Sequence, residues 1–352
     1  MRAVLLTEYG DADTLRVGEV DEPVPGPSDV LVRMVSSGLN HLDVFVRQGL
    51  TGPGMRAPRS LPHVMGAEGA GEVVEVGPLA DTDLEPGDRV MVFSGLSCGR
   101  CRYCTRGETS RCSDYAILGE DVWGVQRELV ALPAGSLLRV PDGMSLTEAG
   151  AVPTTYTTAW TMLFTSGRLR VGERVLVVGA SGGVSVAAVQ LAAHAGAEII
   201  ATTRGTAKAQ QVGALPGVRH LIDSSEAGWH ESVLDITEGQ GVDLVVESVG
   251  APTWRDSIRS LAPGGRMMVC GATGGDAPAI SIREIYQSHR RIIGAPFGGW
   301  TDFVEVVDML GRTGLRPLLH ATLPMERVAV GHRLLEQAAH VGKVVIRIDG
   351  DG

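Results

Sequence analysis

Four of the five cysteines in this chain fall in one short stretch, Cys98-x2-Cys101-x2-Cys104-x7-Cys112. Thiolates at such spacings can close a tetrahedral shell around zinc, and a shell closed by four sulfurs leaves no position for a substrate, so the expected role is structural. Disulfides are the competing chemistry, but a reducing compartment would keep these thiols free. A ferredoxin-type cluster needs a shorter last gap and a Cys-Pro ending, whereas here Ser113 follows; iron in the same four-thiolate shell stays open. Cys270 stands alone on an apolar run and reads as a core residue.

The second chemistry-bearing stretch is Gly179-Ala180-Ser181-Gly182-Gly183-Val184-Ser185, between the apolar run 174–178 and a small-residue helical segment, 186–195. A strand that enters a glycine turn and then a helix aims unpaired helix N–H groups at an anion such as a pyrophosphate. Gly179 suits the tight turn, Gly182 lets phosphates approach the backbone, and Ala187, Ala188 and Ala192 allow close packing of helix on sheet. The spelling departs from G-x-G-x-x-G, so a strand-turn-helix without a ligand is the competing reading.

The elements that must position these groups differ before and after the turn. Short apolar runs at 199–202, 220–222, 244–246 and 267–269 alternate with stretches long enough for helices, which predicts a doubly wound parallel sheet. At the end of the second strand, where an NAD site commonly presents an acid, residues 200–208 contain none. Thr203, Arg204 and Lys208 instead offer a hydroxyl and two cations to a 2′-phosphate. NADP(H) is therefore the expected cofactor, with a solvated basic loop as the competing reading. Val249, Gly250, Gly271 and Ala272 lie at the C-terminal ends of later strands, where the dinucleotide would cross the sheet. Ahead of the turn, the runs 30–35, 71–77 and 88–92 are short strands separated by Gly and Pro, the texture of a β-rich domain. Residues 302–312 and 325–340 read as amphipathic helices.

With 352 residues, 44% hydrophobic and 20% charged, the composition is that of a globular chain with room for two cores. A formal charge of -10 disfavours non-specific attraction to nucleic acid or anionic membrane. No apolar run approaches the roughly 20 residues of a membrane span, and Glu8 interrupts the short apolar N-terminus, so a cytoplasmic location is expected.

Together, the β-rich front, the cysteine lobe and the dinucleotide half resemble the medium-chain dehydrogenase/reductase superfamily, which includes zinc alcohol dehydrogenases and quinone oxidoreductases. The resemblance covers nearly the whole length. It implies an α/β protein with a GroES-like β-rich catalytic domain at 1–150 and 313–352, its zinc lobe at about 95–115, and a Rossmann doubly wound parallel sheet domain at 151–312. Gly342-Lys343-Val344-Val345-Ile346 is similar to the strand that returns to the catalytic domain. Beside the residues above, the resemblance implies cofactor contacts from Thr158, Ser181, Gly183 and Val184.

Members that use a catalytic zinc supply a Cys opening C-x2-D, a His from Gly-His-Glu and a Cys before Thr-Ala. The matching stretches here begin at Gly38, Gly66 and Thr154, and they place Asn40, Ala67 and Thr154 at the ligand positions. Ala and Thr are poor zinc ligands; His41, His63, Asp43 and Glu68 leave a relocated metal as an alternative. Without a Lewis acid, deprotonating an alcohol is costly at neutral pH. A quinone or α,β-unsaturated carbonyl is already electrophilic. Residues 40–49, Asn-x2-Asp-x3-Arg-x-Gly, resemble zinc-free quinone oxidoreductases, in which the Asn lies beside the nicotinamide; some of these carry Tyr where Phe45 stands.

The expectation is an NADP(H)-dependent oxidoreductase passing hydride to a small-molecule quinone or carbonyl-conjugated double bond, with one structural zinc. A zinc-type alcohol dehydrogenase with unusual ligands and a non-catalytic NADPH-binding protein are the alternatives. Candidate catalytic residues are Asn40, His41 and Tyr156, the last two competing with water as proton source. Asn40 as a turn cap, Tyr156 as packing and an Asp43–Arg47 structural ion pair are the competing roles. By the same resemblance, a homodimer or homotetramer is expected through the edge of the Rossmann sheet.

Overall fold

Val30, Val32 and Met34 are buried while their neighbours are less so, the period of two expected of a half-covered strand. In the computed structural model, which describes residues 1–53, 55, 57–58 and 60–349, the strand Asp29–Gly38 is the spine of an antiparallel arrangement. It pairs with Gly69–Val76 and Leu129–Pro133, and near its end with Lys343–Arg347, where Val345 lies opposite Gly38 and Ile346 opposite Ser37. The expected returning strand is thus in place. Val32, Met34, Val92, Val130, Val344 and Ile346 belong to the core these strands enclose.

Two compact units result, 1–154 with 299–352, and 155–298. The boundary differs from the expectation in one element. The helix Trp300–Thr313, which sequence reading placed in the Rossmann domain, belongs to the first unit. Phe303 stacks on Phe93 at 5.3 Å between ring centroids, and the Trp300 N–H donates to Thr109 Oγ1 at 2.9 Å. Its apolar stripe is as expected, with Phe303, Val306, Val307 and Leu310 all buried. The region 325–340 is helical over a shorter span, a 3-10 turn at Met325–Arg327 followed by an α-helix at Val328–Glu336. That helix stops where Ala338 turns to positive φ (48°).

The helix His41–Gln48 explains the whole Asn-x2-Asp-x3-Arg-x-Gly pattern. Asn40 is its extended N-cap, and its N–H donates to Asp43 Oδ2 at 2.8 Å. Gly49 ends it at φ 67°, where a Cβ would come within 2.7 Å of the Tyr9 ring. Arg47 does not pair with Asp43; its fully buried side chain reaches Glu336 on the helix Val328–Glu336.

The second unit is a six-stranded parallel sheet among the described residues: β1 (Arg174–Val177), β2 (Glu198–Thr203), β3 (Val218–Asp223), β4 (Val242–Glu247), β5 (Leu261–Val269) and β6 (Arg291–Gly294), in spatial order β3-β2-β1-β4-β5-β6. This is the doubly wound order, which reverses direction between β1 and β4. Val175, Leu176, Val177, Leu244, Val245 and Val246 are all 0% exposed, as strands covered on both faces require. Among the described residues, no helix is long and apolar enough to cross a membrane.

Candidate functional site

In the cysteine lobe, Sγ of Cys98 lies 3.9 Å from that of Cys104 and 3.5 Å from that of Cys112, with Cys101 and Cys104 also 3.5 Å apart. Zinc–sulfur bonds of about 2.3 Å give a tetrahedral edge of roughly 3.8 Å, so the four thiols fit a single ion of that kind. The Cys104 backbone N–H is the main influence drawing the Cys101 thiol down to about 6, which favours the ligating thiolate. Among the described residues, this is the one group of three or more Cys, His, Asp or Glu side chains gathered as a metal site. His41, His63, Asp43 and Glu68 do not form the relocated site held open by sequence reading.

Glu68 is instead the centre of a buried polar cluster in the first unit. Its carboxylate is 0% exposed and accepts from Asn40 Nδ2 at 2.8 Å, Lys343 Nζ at 2.6 Å and the Thr154 N–H at 2.5 Å. Lys343 Nζ also donates to the Leu39 carbonyl at 2.7 Å and to Asn40 Oδ1 at 2.9 Å. The Thr154 hydroxyl is 2.7 Å from that of Ser94. Asn40 and Thr154, two of the three positions matched to zinc ligands, therefore converge on one carboxylate already paired to an ammonium. Asn40 does cap a helix, but its side chain serves the cluster. His41, the first residue of that helix, is half-buried with its ring 6.3 Å from that of His340; burial and the nearby Lys343 charge depress its pKa.

In the second unit the glycine turn stands where expected. Gly179, at φ 63°, donates its N–H to Thr202 Oγ1 at 3.1 Å, and the Ala180 N–H donates to the Thr202 carbonyl at 2.8 Å, tying the turn to the end of β2. Gly182 is the N-cap of the helix Gly183–His194, whose first-turn N–H groups, Gly183 and Val184 included, have no acceptors within the helix. A Cβ on Gly182 would meet no protein atom closer than 3.7 Å. Packing thus does not demand glycine there, whereas a phosphate lying against the backbone would.

Lys208 Nζ donates to Ser181 Oγ at 2.8 Å, and burial together with the Arg204 charge depresses the lysine pKa. Thr203 is buried and Arg204 exposed at the same strand end. The structure brings Ser181 and Lys208 into direct contact. An acid missed by sequence reading does reach this loop from β3. Asp223 accepts from the Gly205 N–H at 3.2 Å and from the Ser225 hydroxyl at 2.6 Å, and these bonds hold its pKa below the usual range.

Val249 and Gly250 follow β4, and their N–H groups donate to Glu247 Oε1 at 2.7 and 3.0 Å. Glu247, which sequence reading also passed over, further accepts from Thr253 and Ser257, so one buried carboxylate shapes the whole turn. Gly250 is obligatory there, since a Cβ would lie 2.3 Å from the Gly275 carbonyl oxygen; Gly271, followed by Ala272, lies against Ser248.

Two candidate site residues are buried, and one expected core residue is not. Tyr156 is 1% exposed and its hydroxyl donates to Gln190, with burial driving its pKa upward, a placement that suits the packing role set against proton donation. Thr158, expected at the cofactor, is likewise only 4% exposed. Cys270 sits just past the end of β5 and is half-buried instead of in the core.

The chain matches the family described as alcohol dehydrogenase GroES-like domain over residues 26–142 and that described as zinc-binding dehydrogenase over residues 183–312. It is 30% identical to the acryloyl-coenzyme A reductase of Metallosphaera sedula, over 98% of this chain and 99% of that one. To the NAD-dependent alcohol dehydrogenase of Sulfolobus acidocaldarius it is also 30% identical, over 99% and 100% of the two chains. A crystal structure described as an NAD-dependent alcohol dehydrogenase superposes with a TM-score of 0.93 at 38% identity, covering 99% of this chain and 100% of that one. The structure of AibC superposes with a TM-score of 0.89 at 34% identity, covering 99% and 95%.

Proposed function

The chain belongs to the medium-chain dehydrogenase/reductase superfamily, and from that premise we propose that it is an NADPH-dependent reductase of a double bond conjugated to a carbonyl, an enoyl thioester or enone first and a quinone second. The observation that carries this reading is the Glu68 cluster. Asn40, Ala67 and Thr154 offer a zinc ion no thiolate or imidazole, and the adjacent carboxylate is already committed to Lys343. The donor set does not fit a catalytic zinc, so the acceptor must bring its own electrophilicity. The acryloyl thioester in one relative's name is an acceptor of that kind.

NADPH, when bound, supplies the hydride. Gly182, Gly183 and Val184 would receive its pyrophosphate, and Ser181, Arg204 and Lys208 its 2′-phosphate. Asn40 offers an amide N–H to the acceptor's carbonyl oxygen, where negative charge collects as the β-carbon is reduced. His41, largely neutral at physiological pH by virtue of its depressed pKa, can pass a proton between solvent and product. The four cysteines would hold a zinc whose role is to cross-link the lobe. A zinc-type alcohol dehydrogenase is the weaker reading because it needs ligands that this cluster lacks.

The test combines turnover with a metal count. Purified protein is given NADPH with crotonyl and acryloyl thioesters, enones and quinones, and its metals are measured by elemental analysis. Oxidation of NADPH by a conjugated acceptor with one zinc per chain is expected. A second metal ion required for turnover, or activity confined to alcohol oxidation, would reject the proposal.

A further inference from the structure

The amide of Asn40 has one face that accepts and one that donates, and its surroundings permit only one assignment. Lys343 Nζ, which can only donate, lies 2.9 Å from Oδ1, while Glu68 Oε1 lies 2.8 Å from Nδ2. Turning the amide over would set its NH2 against an ammonium and its oxygen against a carboxylate. The second N–H of Nδ2 points to the Gly38 carbonyl across 3.3 Å, longer than the common 2.9–3.0 Å, so this is the bond most readily exchanged for another acceptor.

Lys343 has nothing left to give elsewhere. Its three donors are matched by the Leu39 carbonyl, Asn40 Oδ1 and Glu68 Oε1, and its side chain is 4% exposed. The pocket has no slack either, because a Cβ on Gly38 would lie 2.7 Å from both Glu68 Oε1 and the Gly150 carbonyl oxygen and 3.1 Å from Lys343 Cε. An ammonium held on the amide oxygen withdraws electron density and strengthens the opposite N–H as a donor.

We infer that Lys343 is a positioning residue: its ammonium fixes the Asn40 amide in the one orientation that leaves an N–H to give to the acceptor's carbonyl, and it balances the Glu68 charge beside it. This rests on the reduction proposed above. Lys343 acts through Asn40, and the glycine turn with its proposed phosphate-binding residues belongs to the other compact unit.

The experiment compares Lys343→Met with the double variant Lys343→Met/Glu68→Gln, measuring kcat, KM for NADPH, KM for a crotonyl thioester and the melting temperature. The single variant strands the Glu68 carboxylate, so both melting temperature and kcat should fall. In the double variant no charge is left without a partner; its melting temperature should return most of the way, with kcat still at least tenfold low and KM for NADPH within twofold of wild type. Recovery of wild-type kcat together with stability would overturn the inference, since Lys343 would then serve only folding. A wild-type protein that reduces no conjugated acceptor overturns the reduction itself, and with it this role. Turnover by wild type with an equally active double variant removes the Lys343 role alone.

Discussion

Lys343 Nζ and Glu68 Oε1 stand 2.6 Å apart with their side chains 4% and 0% exposed. Removing one member of such a pair leaves a buried charge uncompensated and commonly costs about 3–5 kcal/mol, whereas removing both together costs far less. Urea denaturation of Lys343→Met, Glu68→Gln and the double variant should therefore show strong non-additivity, with a coupling of at least about 2 kcal/mol. Additive losses would mean that the two charges are screened from one another after all.

The cysteine lobe makes a prediction about metal and stability together. Replacing Cys101 by Ser removes one corner of the thiolate tetrahedron, and the zinc content should drop from one per chain to a small fraction of that. The melting temperature should fall with it by roughly 5 °C or more. Chelator treatment of the wild type should produce the same shift. Unchanged zinc in Cys101→Ser would show that the metal sits elsewhere.

The proposed preference for NADPH rests on Ser181, Arg204 and Lys208. Lys208 reaches Ser181 at 2.8 Å, and a charged hydrogen bond to a phosphate is worth about 1.5–3 kcal/mol. Lys208→Ala and Arg204→Ala should each raise KM for NADPH about tenfold or more, with little effect on NADH. The wild type should prefer NADPH by kcat/KM. A wild-type preference for NADH, unaltered in both variants, would count against the phosphate role.

Two buried groups of the first unit pull stability in opposite directions with pH. His332 has no partner for either ring nitrogen, and burial with the neighbouring Arg47 charge depresses it from 6.5 to about 3. The unfolded chain therefore takes up its proton first: stability is full above pH 6.5 and falls as pH drops toward 3. Asp43 behaves oppositely. Burial raises it from 3.8 to about 7, against the Asn40 N–H and Lys343 and with the Glu68 charge. Its contribution is full below pH 3.8 and is lost as pH rises through 7. Between about pH 4 and 6.5 the two slopes, each about 1.4 kcal/mol per pH unit, should largely cancel. Denaturation profiles of His332→Leu should consequently tilt downward with rising pH in that window and those of Asp43→Asn upward. Parallel profiles for wild type and both variants would contradict these assignments.

The sheet of the second unit ends at β6, whose outer edge has no partner strand among the described residues, and Ile280, Ile282 and Tyr286 are exposed shortly before it. Such an edge invites pairing with a second copy. Light scattering should report a dimer or tetramer, and Ile292→Pro/Ile293→Pro should shift it toward monomer. A monomeric wild type would dismiss this association.

Much of this architecture could be read directly from local pattern. Five of the six strands of the parallel sheet were visible as apolar runs, the central ones because strands covered on both faces must be apolar almost throughout, and the four cysteines announced their lobe by spacing. The Asn40-to-Gly49 pattern was visible too, though as a likeness; its physical content is a helix start and a helix stop. What stayed hidden was long-range. Lys343 looked like one residue of a returning strand because its partner Glu68 is 275 positions away. Glu247 and Asp223 drew no notice, since nothing nearby in sequence reveals which N–H groups a carboxylate will collect. The partner of Tyr156 was hidden for the same reason, as Gln190 lies 34 positions away.

The returning strand also sets an order of events during synthesis. Glu68, Asn40 and Thr154 leave the ribosome long before Lys343, and at about 5–20 residues per second the delay is on the order of tens of seconds. Through that interval the first unit lacks both the strand that completes its sheet beside Gly38 and the cation for its innermost carboxylate. The parallel-sheet unit, continuous from 155 to 298, is free to fold first. The chain thus can complete its parallel-sheet unit ahead of the unit that holds Glu68, and the polar centre closes only when the last strand arrives.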